Sequence, residues 1–457
     1  MVNPMQKEVL VREKAYPKVN KKIPGPNAVR WFDYHFKHSS HTTYVSHFIW
    51  DKSRPAIGPF CTDVDGNMIL DFVSHVASNA LGYNNPELLA LNRLFTALPD
   101  RHAGCDFIMG YGPDPEHSEI PTPSHLHHKM IEITSKFGFS KGFFTNSGAE
   151  AVENAIKICY DSRRNRGIGI CFDGAFHGRT LGALSLNRSK TVQRKWYPSI
   201  PTVSLPYCAC KGKCTCGWMK KTTRGDVTGR LTQMLDKQIG VLDPDEVAYI
   251  IIEPMQGEGG YNVANKEFMK EVYKIANANG IPVIADEIQA GLGRTGKMWA
   301  IEHYGLKPDV ITAAKALQVG ATVGKKEMFP DEDGRISSTW GEGNAHAAAI
   351  GYKTVEIIQR QKLIENADKM GKYLRKRLTE LMDKKSHIID VRGLGLMDAI
   401  EFETKKQRDD VLAKAMQKGL ILLGCGYKTL RLLPPMDVRR REIDICIDIL
   451  SHVMKKT

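Results

Sequence analysis

The sequence lacks any long apolar run. No stretch of eighteen uncharged apolar residues occurs among its 457 residues, and a helix that crosses a membrane needs about twenty. The first twenty residues carry scattered charges where a signal peptide would need an uninterrupted apolar segment. Internal repeats and low-complexity tracts are also missing. These absences argue against membrane-spanning, fibrous and repeat proteins, and we expect a cytoplasmic protein with no membrane partner.

Long basic stretches are absent as well, although the formal net charge is +13. Lys and Arg are spread along the chain with acidic residues between them, and only short clusters such as the three arginines at 439–441 stand out. No helix-turn-helix or RNA-binding aromatic motif accompanies the charge. We therefore expect no nucleic-acid partner, and the positive charge is better suited to attracting acidic small molecules.

The pattern of strands and helices predicts a large α/β domain with a smaller companion. Residues 1–60 show weak periodicity and are expected to form an N-terminal arm that contributes to the small domain. Over residues 61–335, apolar strands alternate with amphipathic helices, which is typical of a mostly parallel sheet covered by helices on both faces. Residues 336–457 are strongly helical at first and then add strands, which predicts a C-terminal small α+β domain.

Polar residues that directly follow apolar strands are the first candidates for a site, because ligands of open parallel sheets bind beyond the carboxyl ends of the strands. In FFTNSGAE, the turn before a helix offers the backbone N–H groups of Gly148 and Ala149 to a phosphate. Asp286 ends the strand in IPVIADEIQ, and Lys315 ends the one in DVITAAK. Taken singly, each has a plain structural explanation: a turn, a capping acid, or a lysine that reaches solvent.

The combination of these motifs indicates a pyridoxal phosphate site. A lysine that enters a protein interior is rare without a partner or a covalent role, and a partly desolvated amine can form a Schiff base. The phosphate turn, the acid, the aromatic-His-Gly-Arg loop in AFHGRT and the lysine together match the requirements of this cofactor. The acid would keep the ring nitrogen protonated, which makes the ring an electron sink.

With these motifs in this order, the sequence from about residue 60 to the C-terminus resembles the class III aminotransferases of the fold-type I pyridoxal phosphate enzymes. The resemblance implies that Lys315 forms the Schiff base and later carries the substrate proton, and that Asp286 pairs with the pyridine nitrogen. The other implied cofactor contacts are Gly148 and Ala149 at the phosphate, Phe176 and Ile288 on the two ring faces, Gln289 at the ring 3-hydroxyl, and Thr339, which reaches the phosphate from the second subunit of a homodimer.

The resemblance also implies how substrates are bound. Arg179 in FHGRT matches the residue that binds the distal carboxylate of an ω-amino acid or of 2-oxoglutarate, and Arg431 in TLRLLPP matches the arginine for the α-carboxylate. Glu258 would mask Arg431 while an ω-amine donor is bound, and Glu253 would support the site from behind. The loop around Val76 would shape the donor pocket. A planar, always charged guanidinium suits bidentate recognition of carboxylates.

The substrate branch is predicted from three stretches, FVSHVASNALGYNNPEL, RISSTWGEGN and LILLGCGYKTLRLLPP, which are most similar to 4-aminobutyrate and lysine 6-aminotransferases. Trp340 fits the same branch. The segment after the lysine, ALQVGATVGKKEM, lacks the Gly-Gly-x-x-Pro common in acetylornithine and ornithine enzymes. The predicted reaction moves an amino group from a 4-aminobutyrate-type or lysine-type donor to 2-oxoglutarate, giving a semialdehyde and glutamate. Acetylornithine or ornithine aminotransferase, and an amino-acid racemase or isomerase on the same fold, are the alternatives.

Four cysteines lie within nine residues in CACKGKCTC, a segment that none of these motifs uses. Cys208, Cys210, Cys214 and Cys216 predict a loop insertion over residues 208–216 that could hold Zn²⁺ or another thiophilic metal in a closed structural site. Their two Cys-x-Cys pairs differ from the Cys-x₂-Cys pairs usual in zinc fingers. Free thiols and disulfides are the alternatives.

Overall fold

The chain folds into two compact units, Met1–Leu89 with Asn366–Thr457, and Ala90–Glu365. The computed structural model describes residues 10–40, 48–98, 107–164, 166–221, 227–337, 342, 344–384 and 387–454. Within those ranges, no helix combines the length and the apolar character that crossing a membrane would require.

The helices and strands follow one another in the order of an α/β chain. The helices are α1 (Pro26–Phe36), α2 (Ser74–Ala77), α3 (Pro86–Ala97), α4 (Pro123–Thr134), α5 (Gly148–Ser162), α6 (Leu181–Ser185), α7 (Thr191–Arg194), α8 (Arg230–Met234), α9 (Lys266–Ala278), α10 (Ala345–Arg360), α11 (Leu363–Met382), α12 (Lys405–Met416) and α13 (Arg440–Val453). The strands are β1 (Phe60–Thr62), β2 (Met68–Asp71), β3 (Lys141–Thr145), β4 (Ile168–Phe172), β5 (Thr202–Leu205), β6 (Met219–Lys221), β7 (Val227–Gly229), β8 (Val247–Ile252), β9 (Val283–Asp286), β10 (Val310–Ala313), β11 (Gly320–Gly324), β12 (Ile388–Leu394), β13 (Met397–Phe402), β14 (Leu420–Ile421), β15 (Leu423–Cys425) and β16 (Thr429–Leu432).

The unit of residues 90–365 is built on a seven-stranded sheet with the order β3-β11-β10-β9-β8-β4-β5. Neighbouring strands from β10 to β5 are parallel, whereas β11 pairs antiparallel with both β10 and β3. Every residue of β8, the run VAYIII, is buried, as expected for a strand that is covered on both faces. The predicted mostly parallel α/β sheet is confirmed.

Helix α5 packs on this sheet and directs its N-terminus toward the carboxyl ends of the strands. Its buried residues, among them Val152, Ala155 and Cys159, share one apolar cluster with Ile284 of β9 and Val310 of β10. Helix α5 begins three residues after β3 ends. The short connection therefore holds the first turn of α5 beside the strand ends that carry the candidate site.

The unit of residues 1–89 and 366–457 joins the two ends of the chain. Its four-stranded antiparallel sheet has the order β12-β13-β16-β15, and its three-stranded sheet has the order β1-β2-β14. Strand β2 pairs with β14 in parallel, so that Leu70 lies opposite Leu420. This pairing places residues 61–89 with the C-terminal segment. Helix α10 packs on α4, and both helices belong to the unit of residues 90–365. The division therefore differs from the boundaries expected after residues 60 and 335, because pairing between distant strands leaves no local signal.

A buried ion pair ties the N-terminal segment to the C-terminal helix of the same unit. Arg12 donates from Nε to Glu442 Oε1 at 2.6 Å and from its second terminal nitrogen to Glu442 Oε2 at 2.8 Å. Arg12 is 8% exposed and Glu442 is 1% exposed. Because both charges are removed from water, each needs compensation, and Arg12 also pairs with Asp437 while Glu442 accepts the backbone N–H of Arg439.

Replacing Arg12 with Ala should destabilise the protein, since it leaves the Glu442 carboxylate buried without its partner, a change that typically costs about 3–5 kcal/mol. We expect a clearly lower thermal midpoint, measured by circular dichroism. The control is Glu13→Gln, which removes an exposed pair with Arg439 and should leave the midpoint unchanged. Equal midpoints for Arg12→Ala and wild type would show that the pair does not hold this segment.

Candidate active site

The carboxyl ends of two neighbouring parallel strands bring the predicted acid and lysine to one edge of the sheet. Strand β9 ends at Asp286, which lies opposite Thr312 of β10. Lys315 follows β10 by two residues and begins a short 3₁₀ turn, Lys315–Leu317. Asp286 is 4% exposed, and Lys315 is half-buried. The two side chains that the sequence singled out therefore start from adjacent strand ends.

The backbone of Lys315 is strained. Its φ angle is +45°, in the left-handed region that residues with a long side chain seldom adopt. Such a conformation costs on the order of 1–3 kcal/mol and persists where the surrounding structure requires it, most often at functional sites. The amine of Lys315 is therefore set by the fold rather than by local preference.

The carboxylate of Asp286 is held by a buried histidine. His177 Nδ1 lies 2.7 Å from Asp286 Oδ2, and the backbone N–H of Ile288 donates to Oδ1 at 3.1 Å. The His177 side chain is fully buried, and its backbone N–H donates to Asn187 Oδ1 at 2.7 Å. An imidazole that donates a hydrogen bond to a carboxylate fixes the orientation of the carboxylate and stabilises the carboxylate's negative charge. The AFHGRT motif contains His177 but does not indicate this role, and only the position of the histidine between an aromatic residue and a glycine could suggest one.

Glu253, at the end of β8, joins two loops of the site. Its Oε1 accepts the backbone N–H of Phe176 at 3.0 Å, and its Oε2 accepts that of Gly257 at 2.8 Å. Burial raises the pKa of Glu253 to about 7, although His177 and the two backbone donors favour its charged form. One carboxylate thus fixes the loop that carries Phe176 and His177 relative to the loop that carries Glu258.

The first turn of α5 lies against the connection that leads to Lys315. Ser147 is the N-cap residue and accepts the backbone N–H of Glu150 through its hydroxyl. A Cβ atom on Gly148 would lie 3.0 Å from Ile288 Cδ1 and 3.3 Å from Ala314 Cβ. Glycine therefore allows the close approach of three segments: the helix N-terminus, the loop after β9 and the residue before Lys315.

Two further glycines bring loops of the site close together. Gly178 has φ +141°, and a Cβ atom there would lie 2.7 Å from Ala149 Cβ. A Cβ atom on Gly257 would lie 2.9 Å from Gln289 Cδ. The side-chain oxygen of Gln289 is buried, and no partner for it lies within the described part of the chain. Gln289 thus offers a buried amide oxygen that can accept a hydrogen bond from a bound group.

These features fit pyridoxal phosphate. The first backbone N–H groups of α5 point out of the helix end and suit a phosphate. The buried Asp286 suits a protonated ring nitrogen, and the amide of Gln289 suits a ring hydroxyl. Phe176 and Ile288 are half-buried residues of the loops that Glu253 and Asp286 fix. The cofactor residues that were predicted within residues 90–337 are thus carried by neighbouring strand ends and by loops that contact one another.

The predicted substrate residues are divided between the two units. In the unit of residues 90–365, Arg179 is exposed directly after Gly178, and Lys190 Nζ lies 3.2 Å from Glu258 Oε2. In the other unit, Arg431 is 5% exposed on β16. Thr339, predicted to reach the cofactor of the second subunit, and Trp340, which fits the predicted substrate branch, lie outside the described residues.

Val76 belongs to a turn with an unusual backbone. Four consecutive residues, Ser74–Ala77, have φ between 49° and 73°, and none of them is glycine. Asp71 Oδ1 accepts the backbone N–H groups of Val73 and Ser74, and the Tyr83 hydroxyl donates to Asp71 Oδ2 at 2.8 Å. This buried network holds a left-handed turn that would be unfavourable by itself.

The four clustered cysteines lie in the same unit as Lys315, in the connection between β5 and β6. Their sulfur atoms all lie within 4.8 Å of one another. Cys208 is buried, Cys210 and Cys214 are half-buried, and Cys216 is exposed. The predicted loop insertion therefore gathers its four thiols in one place.

Comparison with curated proteins identifies relatives along nearly the whole chain. Residues 43–454 match the family model described as aminotransferase class-III. An alanine/serine racemase from Pyrococcus horikoshii is 32% identical over 99% of this chain and 95% of its own length. An acetylornithine aminotransferase from Caldanaerobacter subterraneus is 34% identical over 86% of this chain and 92% of its own length. A 4-aminobutyrate aminotransferase from Mycobacterium leprae is 32% identical over 87% of this chain and 90% of its own length.

Comparison with solved structures agrees. Lysine aminotransferase from Mycobacterium tuberculosis, in its internal aldimine form, superposes with a TM-score of 0.77 at 26% identity and covers 94% of this chain and 99% of its own. Since the family model and the curated relatives each cover most of the sequence, the chain belongs to the class III aminotransferases, pyridoxal phosphate-dependent enzymes of fold type I.

Proposed function

We propose that this protein is an ω-aminotransferase that moves an amino group from a 4-aminobutyrate-type or lysine-type donor to 2-oxoglutarate, giving a semialdehyde and glutamate. The observation that carries the proposal is Arg179, an exposed guanidinium two residues after the histidine that is bonded to Asp286. A carboxylate that this arginine holds by two hydrogen bonds would leave the far end of the donor to reach the cofactor. Similarity to a 4-aminobutyrate aminotransferase and a lysine aminotransferase supports this donor class.

Lys315 is the residue proposed to react. When bound, pyridoxal phosphate supplies an electron sink that acidifies the carbon bearing the amino group. The Nζ atom of Lys315 would bond to the cofactor at rest and, once displaced by the donor, take the proton from that carbon. Partial burial and a backbone fixed at φ +45° favour this role, because an amine removed from water more readily stays neutral, and the neutral amine is the form that can attack the cofactor or accept a proton.

The other cofactor residues would hold and orient the ring. Asp286 would keep the ring nitrogen protonated, and His177 would act as a positioning residue that supports the Asp286 charge at 2.7 Å. The remaining proposed contacts are Gly148 and Ala149 at the phosphate, Phe176 and Ile288 on the ring faces, and Gln289 at the ring hydroxyl. The close packing at Gly148, Gly178 and Gly257 supports these assignments, since it leaves little freedom for the loops concerned.

For the second half of the reaction, Arg431 is proposed to bind the α-carboxylate of glutamate and 2-oxoglutarate. Its burial on β16 supports a role beyond that of a surface charge. The masking of Arg431 by Glu258 stays a prediction, and Lys190 gives the Glu258 carboxylate a cationic neighbour at 3.2 Å within its own unit. Val76 is proposed to shape the donor pocket, on a turn whose strained backbone is typical of functional segments.

We further propose a homodimer in the cytoplasm, in which Thr339 of one subunit reaches the cofactor phosphate of the other. The resemblance of the SSTWG segment to class III aminotransferases supports this proposal.

An amino-acid racemase is the second candidate. It is favoured by one observation, the 32% identity to an alanine/serine racemase over 99% of this chain. The same Lys315 and Asp286 would serve, because racemisation removes and returns one proton at the α-carbon without a change of oxidation level. Acetylornithine aminotransferases are also relatives, but the segment after Lys315 lacks their Gly-Gly-x-x-Pro.

A donor screen separates these candidates. With 2-oxoglutarate as acceptor, we expect 4-aminobutyrate or lysine to yield glutamate, measured by an enzyme-coupled assay, while acetylornithine and ornithine yield much less. The parallel arm omits the acceptor and follows the optical activity of single enantiomers of alanine and serine. Racemisation without an acceptor, together with little glutamate from any donor, would replace the aminotransferase proposal with the racemase.

Replacing Lys315 with Ala should lower turnover by at least 10²–10⁴-fold, the range typical for loss of a general acid–base residue. The visible absorbance of the protein-bound cofactor should also change, since no side-chain amine remains to bond to it. The matched control is Lys326→Ala, an exposed lysine after β11, which should keep wild-type absorbance and rate. Unchanged spectrum and turnover in the Lys315 variant would exclude the proposed role.

A further inference from the structure

We propose that Cys208, Cys210, Cys214 and Cys216 bind one Zn²⁺ in a closed tetrathiolate site that holds the 206–221 loop in place. The site is structural and independent of the proposed reaction. Its effect would be on the stability of the fold around the active site, because the loop is bonded to elements that frame Glu253.

The distances between the sulfur atoms match a single tetrahedral metal ion. Cys214 Sγ lies 3.8 Å from Cys208 Sγ and 3.7 Å from Cys216 Sγ, and all four sulfurs fall within 4.8 Å of one another. A Zn–S bond of about 2.3 Å in a tetrahedron places sulfurs roughly 3.8 Å apart. A disulfide would instead need about 2.05 Å. Clusters of several irons would spread the thiolates further, because their thiolates bind different metal atoms.

Hydrogen bonds within the loop are directed at two of the sulfurs. The backbone N–H and the hydroxyl of Thr215 both donate to Cys210 Sγ at 3.4 Å. The backbone N–H of Met219 donates to Cys214 Sγ at 3.5 Å. Donors of this kind stabilise a metal-bound sulfur, which is in the thiolate form. They also orient the ligands, as the outer shell of a metal site does.

The charge of the loop suits the proposed ion. Four thiolates around Zn²⁺ carry a net charge of about −2, and two cations, Lys211 and Lys213, lie between the two Cys-x-Cys pairs. Gly212 separates them with φ +74°, which allows the chain to reverse between the pairs. Opposite charges near the site reduce the repulsion that four thiolates would otherwise create.

The loop is anchored on the scaffold of the site rather than loosely attached. Asn265 is the N-cap residue of α9, and its side-chain Nδ2 donates to the carbonyl oxygens of Cys210 and Gly212 at 2.9 and 2.6 Å. The backbone N–H of Asn265 donates to the carbonyl oxygen of Cys208 at 2.8 Å. At the far end, the Trp218 indole N–H donates to Glu271 Oε2 at 3.1 Å. Both ends of the cysteine segment are therefore fixed to α9 or its cap.

One residue connects this loop to the frame of the active site. The hydroxyl of Tyr207, the residue before Cys208, donates to the carbonyl oxygen of Glu253 at 2.9 Å. Glu253 in turn holds the loops of Phe176 and Gly257 through its carboxylate. A metal at the cysteines would thus stiffen the backbone behind these loops without touching the reacting groups.

Metal analysis of the full-length holoenzyme, produced in zinc-supplemented medium, tests the proposal. We expect about one Zn per chain in wild type and in Cys446→Ala, a buried thiol of α13 that serves as the control. Cys216→Ser, which alters the exposed ligand, should lose most of the zinc. After cobalt loading, wild-type protein should show the visible absorption of a tetrahedral thiolate site, and Cys216→Ser should not. Wild-type protein without bound zinc, with stoichiometric iron, or with cysteines paired as disulfides by mass spectrometry would overturn the proposal.

Chelation tests the structural role. After zinc removal, we expect a lower thermal midpoint and faster proteolysis within residues 206–221, while the bound cofactor keeps its absorbance and the folded enzyme keeps most of its turnover. If zinc removal abolished turnover while the midpoint and cofactor absorbance stayed at wild-type values, the metal would take part in the chemistry and the structural assignment would be wrong.

Discussion

A carboxylate buried at the end of a strand needs compensation, because removing a charge from water without a partner is costly. In this protein the requirement falls on Asp286, which is 4% exposed and is met by His177 and the backbone N–H of Ile288. The histidine comes from a loop that follows a different strand, so the loop must cross to the end of β9. The contact therefore requires the loop that carries His177 to be fixed beside the end of β9.

The position of that loop depends in turn on Glu253 and on glycine. Glu253 accepts one backbone N–H from the Phe176 loop and one from the Gly257 loop, and it is nearly as buried as Asp286. A Cβ atom at Gly178 would lie 2.7 Å from Ala149 Cβ, so only glycine fits at this position without a collision. The two buried acids at the ends of adjacent strands therefore have different roles. Asp286 faces the cofactor in the proposed function, whereas Glu253 holds the loops on either side of it.

The cysteine loop is also connected to Glu253, although it contains none of the proposed reacting residues. The Tyr207 hydroxyl bonds to the backbone of Glu253, and the next residue is the first of the four thiols. A small loop with few apolar residues cannot build a core of its own, so hydrogen bonds to Asn265 and the proposed metal would take the place of one. In this proposal, the loop stabilises the backbone behind the site and takes no part in the reaction.

Local sequence patterns determined the sheet type, the strand ends that carry Asp286 and Lys315, and the turn before α5 at Gly148, because each depends on periodicity or on neighbouring residues. They also located the four cysteines. The tertiary structure alone decided two contacts. His177 pairs with Asp286, 109 positions along the chain, and Glu253 binds the backbone of Phe176, which lies 77 positions before it. The tertiary structure likewise joined β2 to β14 and so set the two units. Contacts across such distances arise from the packing of the whole sheet, which no short stretch of sequence encodes.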